Sequence, residues 1–205
     1  MGKKGVFICI EGLDGSGKST QAKMLTKKLS KTYNAIYTAE PSQGKIGKFI
    51  RQRCLYEEKR LPTTVEALLF AADRIEHVQN IVAPALEEGK LVVSDRYVYS
   101  SLAYQGSAGL SLDWIEAINA NALKPDLCVF IDVEPKVVLE RLKRKKSVME
   151  TLETQEKVRE IYLKYVERRE LVRVDGGKSK RLVAEELYAI VKNFLTAKEN
   201  IEKTG

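Results

Sequence analysis

The sequence predicts an α/β fold, a five-stranded parallel sheet flanked by helices, and three observations predict it. Short apolar runs rich in β-branched residues, at positions 5–10, 35–38, 91–94, 127–131 and 171–174, read as strands. Stretches with apolar residues three and four apart separate them, and this alternation gives a parallel sheet covered on both faces. The first strand runs straight into a glycine-rich turn and then a helix. With 205 residues, 44% of them hydrophobic, the chain suits one core, so positions 1–205 are expected to form a single domain.

The first element is the most informative. Gly12, Leu13, Asp14, Gly15, Ser16, Gly17, Lys18 and Ser19 fit Gly-x-x-x-x-Gly-Lys-Ser/Thr without a mismatch, between a strand and a helix that starts at Thr20. In such a P-loop, glycines let successive backbone N–H groups turn inward onto phosphate oxygens, and the helix start adds its positive dipole end. Lys18 is expected to reach the β- and γ-phosphates of a nucleoside triphosphate, and Ser19 to hold Mg²⁺ through its hydroxyl. Gly12 to Thr20 are thus the expected ATP-binding residues.

The second strand ends at Glu40-Pro41, followed by Ser42-Gln43-Gly44. Loops at the carboxyl ends of parallel strands line the site. A helix over 46–57 carries Arg51 one turn past that loop. Thr63, with Glu66 three residues on, reads as a capping box opening the next helix. On it Phe70 and Arg74 are four apart and adjacent. They suit a core phenylalanine beside a surface arginine, or a ring that stacks on a base with a guanidinium at its edge. His77, the sole histidine, falls on the charged part of this helix and is expected at the surface.

Gly89 caps a further helical stretch over 81–88, and the third strand ends at Asp95-Arg96-Tyr97. An acidic residue closing an apolar strand in a P-loop protein is the usual Mg²⁺-water ligand, which makes Asp95 the candidate. The planar fork of Arg96 suits a second phosphate. Tyr97, Tyr99, Ser100, Ser101, Tyr104 and Gln105 follow as a dense polar-tipped cluster, a candidate acceptor site. Ser111 is expected to cap the helix carrying Trp114.

The fourth strand ends at Asp132, and Pro135 suits the first turn of the next helix. That helix closes in Arg141-Leu142-Lys143-Arg144-Lys145-Lys146, followed by an acidic stretch to Glu156. Such a run suits a solvated face. In a phosphoryl-transfer enzyme it also suits a short mobile basic lid, over about 141–156, with Arg141 and Arg144 as its catalytic arginines. A helix over 157–169, the fifth strand and a terminal helix over 182–195 complete the chain, with a polar tail expected to fray.

Composition narrows the function. The net charge of +7 fits either nucleic acid or a small anionic substrate. The lysines are spread along the chain with no aromatic-interleaved basic ribbon, which favours the small anion and no nucleic-acid partner. No apolar run reaches 18 residues, so no membrane span is expected, and the short N-terminal lead leaves no room for a signal peptide. A cytoplasmic location follows as an expectation. Three cysteines without paired spacing argue against a disulfide framework or zinc site. Asn-Lys-x-Asp, which would read guanine, is absent, and the chain is small for a motor. A small-molecule kinase remains, with a P-loop nucleic-acid ATPase as the alternative from another class.

Several stretches carry a resemblance over nearly the whole chain: Phe7-Ile8-Cys9-Ile10-Glu11 leading into the P-loop through Gln21; Glu40-Pro41; Leu69-Phe70-Ala71-Ala72-Asp73-Arg74; Asp95-Arg96-Tyr97 with Ser100 and Ala103-Tyr104-Gln105-Gly106; and Val158-Arg159-Glu160-Ile161-Tyr162. In these the chain resembles the thymidylate kinases (dTMP kinases). The resemblance implies a P-loop nucleoside-monophosphate-kinase fold with a short lid, transfer of the γ-phosphoryl of ATP to dTMP with Mg²⁺, and a homodimer. It also implies roles: Phe70 stacking on thymine, Arg74 bonding its edge, Arg96 holding the dTMP phosphate, Asp14 meeting the sugar 3′-hydroxyl, and Tyr104 lying where a ribose 2′-hydroxyl would clash. Glu40, Pro41, Arg51, Ser100, Ser101 and Gln105 complete the expected dTMP site. The family often has arginine before Glu-Pro where this chain has Ala39, so either the dTMP phosphate loses one contact or Arg51 compensates. Gly15-Ser16 is not basic, the pattern in which the lid supplies an arginine.

The nearest competing reading is a related kinase, either a deoxynucleoside kinase or a different nucleoside monophosphate kinase; for the first, an acceptor without a 5′-phosphate would leave Arg96 without its partner.

Overall fold

A computed structural model describes residues 5–55, 61–142 and 151–204. Its sheet is five-stranded and wholly parallel, in the order β2-β3-β1-β4-β5, from β1 (Val6–Gly12), β2 (Ala35–Ala39), β3 (Leu91–Asp95), β4 (Leu127–Asp132) and β5 (Val172–Asp175). β1 lies at the centre, and Phe7, Ile8, Cys9 and Ile10 are completely or almost completely buried. This is why the strand reads as an unbroken apolar run rather than an alternating one. The chain leaves β1 towards one edge and later returns to its other side at β4. That switch opens a crevice at the carboxyl ends of β1, β3 and β4.

Helices cover the sheet: α1 (Lys18–Leu29), α2 (Lys45–Ile50), α3 (Thr63–His77), α4 (Ala83–Glu87), α5 (Val98–Ser107), α6 (Leu112–Ile118), α7 (Pro135–Arg141), α8 (Leu152–Glu167) and α9 (Lys180–Thr204). α5 and α8 pack together, as do α1 and α9. Ala22, Leu25 and Leu29 are the buried stripe of α1, the face its spacing predicts. Gly89 turns with φ 74°, Ser111 Oγ accepts the Trp114 N–H, and Pro135 opens α7.

Four local expectations are corrected. The helix expected over 46–57 keeps α-helical hydrogen bonding only to Ile50 and passes into a π-helical turn at Arg51–Leu55. α3 starts at Thr63 itself: Pro62 takes the cap position and no side chain caps it, so the Thr63–Glu66 capping box does not form. His77 is 2% exposed, because α3 turns this residue onto the end of β2. The C-terminal tail does not fray after position 195; α9 runs to Thr204. No helix among the described residues is long and apolar enough to cross a membrane.

Candidate active site

The P-loop joins β1 to α1. Gly15 and Gly17 both have φ near +90°, where a side chain is strained, and a Cβ on Gly15 would lie 2.8 Å from the Val138 carbonyl oxygen. Gly17 is the N-cap of α1 and no side chain caps the helix, so its first N–H groups stay available to an anion. Lys18 folds back along the loop: its Nζ donates to Leu13 O and Asp14 Oδ1, each at 3.3 Å. Burial, and then the charge of Arg96, lower the Lys18 pKa from its usual value.

Arg96 follows β3 with φ 72°, a left-handed conformation that costs an arginine about 1–3 kcal/mol. The strained backbone aims its guanidinium at the P-loop. Nη2 lies 2.5 Å from Asp14 Oδ1 and 3.5 Å from the Tyr104 hydroxyl, and Nη1 donates to Ser100 Oγ at 2.8 Å. The Tyr104 hydroxyl also accepts the Asp14 N–H at 3.0 Å. Two cations from distant parts of the chain thus meet on one carboxylate oxygen. Burial opposes the ionisation of Asp14, but the charges of Arg96 and Lys18 outweigh it and hold its carboxyl well below the usual carboxylate range.

A second network lies at the end of β2. Glu40 is 6% exposed and takes both Arg74, at 3.0 Å from Nε, and His77, at 3.1 Å from Nδ1. His77 Nε2 meets Thr38 Oγ1 at 2.6 Å. Arg74, 1% exposed, also donates to Asn119 Oδ1, and its Nη2 donates to Tyr97 O and Ser101 Oγ, each at 3.1 Å. These bonds leave one Nη1–H of its five N–H groups without a described partner. Phe70, half-buried, lies one turn before it. Beside this network, Arg51 Nη1 donates to Pro41 O at 2.6 Å, and Asp73 accepts the Ser42 N–H and hydroxyl at 2.7 and 2.6 Å.

The fold therefore connects most of the residues that the sequence singles out. Lys18, Asp14, Arg96, Ser100 and Tyr104 form one hydrogen-bonded group. Glu40, Arg74 and Ser101 form another, with Pro41 and Arg51 at its edge. Gln105 is buried on α5, and Ser19 and Thr20 are exposed at the start of α1. Asp95 closes β3, 6% exposed; its Oδ2 accepts from the Tyr37 hydroxyl at 3.2 Å, and its Oδ1 is buried without a hydrogen-bond partner. Arg141 is placed elsewhere: its guanidinium donates to Gly176 O at 3.4 Å. Arg144 and positions 143–150 of the expected lid lie outside the described residues, and Leu152 onward already belongs to α8.

Sequence reasoning missed several partners. Glu11, Asn119 and Tyr162 bond these groups from β1, the end of α6 and α8. Tyr162 enters only within a stretch that carries the resemblance, and Asn119 carries no signal of its own in the sequence. Glu11 does: it is a carboxylate closing an otherwise apolar strand.

The thymidylate kinase family model matches residues 10–187. A probable thymidylate kinase of Pyrococcus abyssi is 43% identical over 94% of this chain and 98% of its own length, and that of Pyrococcus horikoshii has the same identity and coverage. A probable thymidylate kinase of Methanococcus vannielii is 47% identical over 78% of each chain. The P-loop, the arginine aimed into it and the buried polar crevice beside it accord with that likeness, and the chain belongs to the thymidylate kinase family, whose reaction moves a phosphoryl group from ATP to dTMP to give ADP and dTDP.

Proposed function

We propose the following division of labour for this reaction. The observation that carries it is the meeting of Lys18 and Arg96 on Asp14 Oδ1. One is the P-loop lysine and the other comes from the polar cluster, so donor and acceptor phosphates bind side by side. Phosphoryl transfer needs little covalent chemistry from the protein, and these residues act by position and charge. The P-loop N–H groups and Lys18 hold the ATP phosphates. Arg96 holds the dTMP phosphate, with Arg51 beside Pro41 on the same side. Phe70 stacks on thymine, and the remaining N–H of Arg74 meets its edge. Asp14 and Tyr104 flank the sugar, and Ser100, Ser101, Glu40 and Gln105 complete the acceptor wall. Arg141 and Arg144 add positive charge at the lid.

Family membership implies Mg²⁺ with the ATP. The residues present fit it: the buried, unpartnered Asp95 Oδ1 is an acceptor suited to a metal-bound water, and the Ser19 hydroxyl lies exposed at the start of α1. Among the described residues no three His, Cys, Asp or Glu form a metal cluster, so the ion would be held largely by ATP oxygens and water. When bound it neutralises charge on the transferred group.

The homodimer is part of the same reading. Val65 and Leu68 on α3, Phe49 on α2 and Ile81 in the π-helical turn after α3 are 41–48% exposed, a lot of apolar surface for neighbouring segments. Sedimentation is expected to give a dimer that Leu68→Glu splits, and a monomeric wild type would refute this.

The test of function is a coupled assay with Mg-ATP against dTMP, dUMP, UMP, dCMP, AMP, GMP and thymidine. Preference for dTMP, with thymidine inert, is the expected result. Preference for thymidine would overturn the role of Arg96. ATP hydrolysis stimulated only by nucleic acid would overturn the acceptor site altogether.

A further inference from the structure

We infer that Glu11 is the positioning residue of the acceptor side: its carboxylate anchors the start of α5, and through it holds Arg96 and the carbonyl that receives Arg74. Glu11 is completely buried at the end of β1. Its Oε1 accepts the Tyr97 N–H at 2.8 Å and the Ser100 N–H at 3.3 Å. Its Oε2 accepts the Ser100 hydroxyl at 2.6 Å and the Tyr162 hydroxyl at 2.9 Å. An ionised carboxylate has about four acceptor positions, and four donors fill them.

Those donors bear on the site. Tyr97 is the N-cap of α5, yet no side chain of the helix's own caps it. Glu11 replaces that cap from another element, placing a negative charge where the helix dipole favours one. Arg96 is the residue immediately before this cap and is held at φ 72°. Such a conformation persists only where its surroundings fix it. Glu11 fixes the Tyr97 N–H on one side of the arginine, and Ser100 Oγ, itself bonded to Glu11, receives Arg96 Nη1. The backbone carbonyl of the same residue, Tyr97, accepts from Arg74. One carboxylate thus ties the guanidinium for the phosphate to the guanidinium for the base. Tyr162 brings α8 to the same oxygen.

The alternative is that Glu11 only stabilises the fold. Burial raises its carboxyl above the ordinary value, although Ser100, Arg96 and Tyr162 each pull it back. The native state therefore holds the Glu11 proton more readily than the unfolded chain does, and the group's contribution to stability falls as pH rises through its native pKa. A purely structural loss would weaken dTMP and ATP alike, whereas the contacts of Glu11 run to Tyr97 and Ser100, on the side of Arg96 and Arg74.

This inference rests on the assignment of Arg96 and Arg74 to dTMP. The experiment compares wild type, Glu11→Gln, Tyr162→Phe and Arg96→Ala in saturation kinetics for dTMP and for ATP, with thermal unfolding alongside. Glu11→Gln keeps the shape but removes the charge and one acceptor oxygen. It is expected to raise KM for dTMP about tenfold, the scale of one charge-assisted hydrogen bond, to leave KM for ATP within about twofold, and to unfold below the wild-type temperature, since the amide leaves at least one of the four buried donors unpaired. Tyr162→Phe, which removes one donor to the same carboxylate and keeps the ring, is expected to raise KM for dTMP by a smaller factor in the same direction. Equal movement of both KM values, or a lowered unfolding temperature with KM for dTMP unchanged, overturns the positioning role. If Glu11→Gln does not fold, Tyr162→Phe decides: an unchanged dTMP KM overturns the role. Arg96→Ala separates the two levels. If it leaves KM for dTMP unchanged, the acceptor assignment fails; if it raises KM and Glu11→Gln does not, the positioning role alone fails.

Discussion

In the division of labour proposed above, the donor side takes its phosphate-binding groups from one unbroken run between β1 and α1, whereas the acceptor side gathers side chains from the ends of β2 and β3, the second half of α3 and the first turns of α5. The difference is one of physics as well as of chain order. The donor side works through backbone N–H groups, which two left-handed glycines and an uncapped helix start leave free. The proposed acceptor side consists of buried side chains that satisfy one another in the absence of substrate. Arg74, Glu40, His77, Asn119 and Ser101 form a closed set with almost no spare donor. In a low-dielectric crevice such a set is rigid when complete and costly when broken. The donor side should therefore separate function from stability, and the acceptor side should not.

One pair of variants breaks or upholds that contrast. Lys18→Ala is expected to lower kcat by about 10²-fold or more, the scale of losing a preorganised charge at a reacting centre. It should leave the unfolding temperature close to wild type, since among the described residues Lys18 pairs only with Asp14 and a backbone carbonyl, and Asp14 keeps Arg96. Arg74→Ala is expected to raise KM for dTMP far more than KM for ATP. It should also cost about 3–5 kcal/mol of stability, because Glu40 stays buried without its cation. Chemical unfolding and two-substrate kinetics measure both variants. If Lys18→Ala destabilises as much as Arg74→Ala, the two sides are not built differently.

The same contrast explains how much was legible beforehand. The three central strands, β1, β3 and β4, are short and apolar because both sheet faces are covered there, so the alternation and the sheet follow from local pattern. The P-loop is legible for a related reason: its glycines, lysine and serine are consecutive, and its chemistry needs only the helix behind it. On the acceptor side the sequence names residues but not their partners. Periodicity marks Arg74 beside Phe70 but cannot tell that Glu40, thirty-four positions earlier, meets it. His77 reads as a surface residue because its neighbours along α3 are charged, and only the approach of β2 buries it. The polar tail reads as frayed, yet it continues the amphipathic helix α9. Pattern reports what a segment offers; the third dimension decides which offers are taken up.

Helix caps give the smallest and most local version of the comparison. Thr63 and Ser111 carry the same sequence signal, a hydroxyl residue at the head of a helix. Only Ser111 serves: its Oγ accepts the Trp114 N–H, at 3.4 Å and in an exposed position. Thr63 lies one residue too far into α3, behind Pro62, whose φ of −52° and ψ of 139° supply the cap's extended backbone without a side-chain bond. Ser111→Ala is therefore expected to cost about 0.5–1 kcal/mol, towards the low end for a cap because the bond is long and wet. Thr63→Ala is expected to stay within about 0.5 kcal/mol, and its better helix propensity offsets part of any loss. Denaturant midpoints at constant slope resolve the difference. Equal costs would mean that Thr63 caps α3 in solution after all, and that the shift of the helix start by one residue is not maintained there.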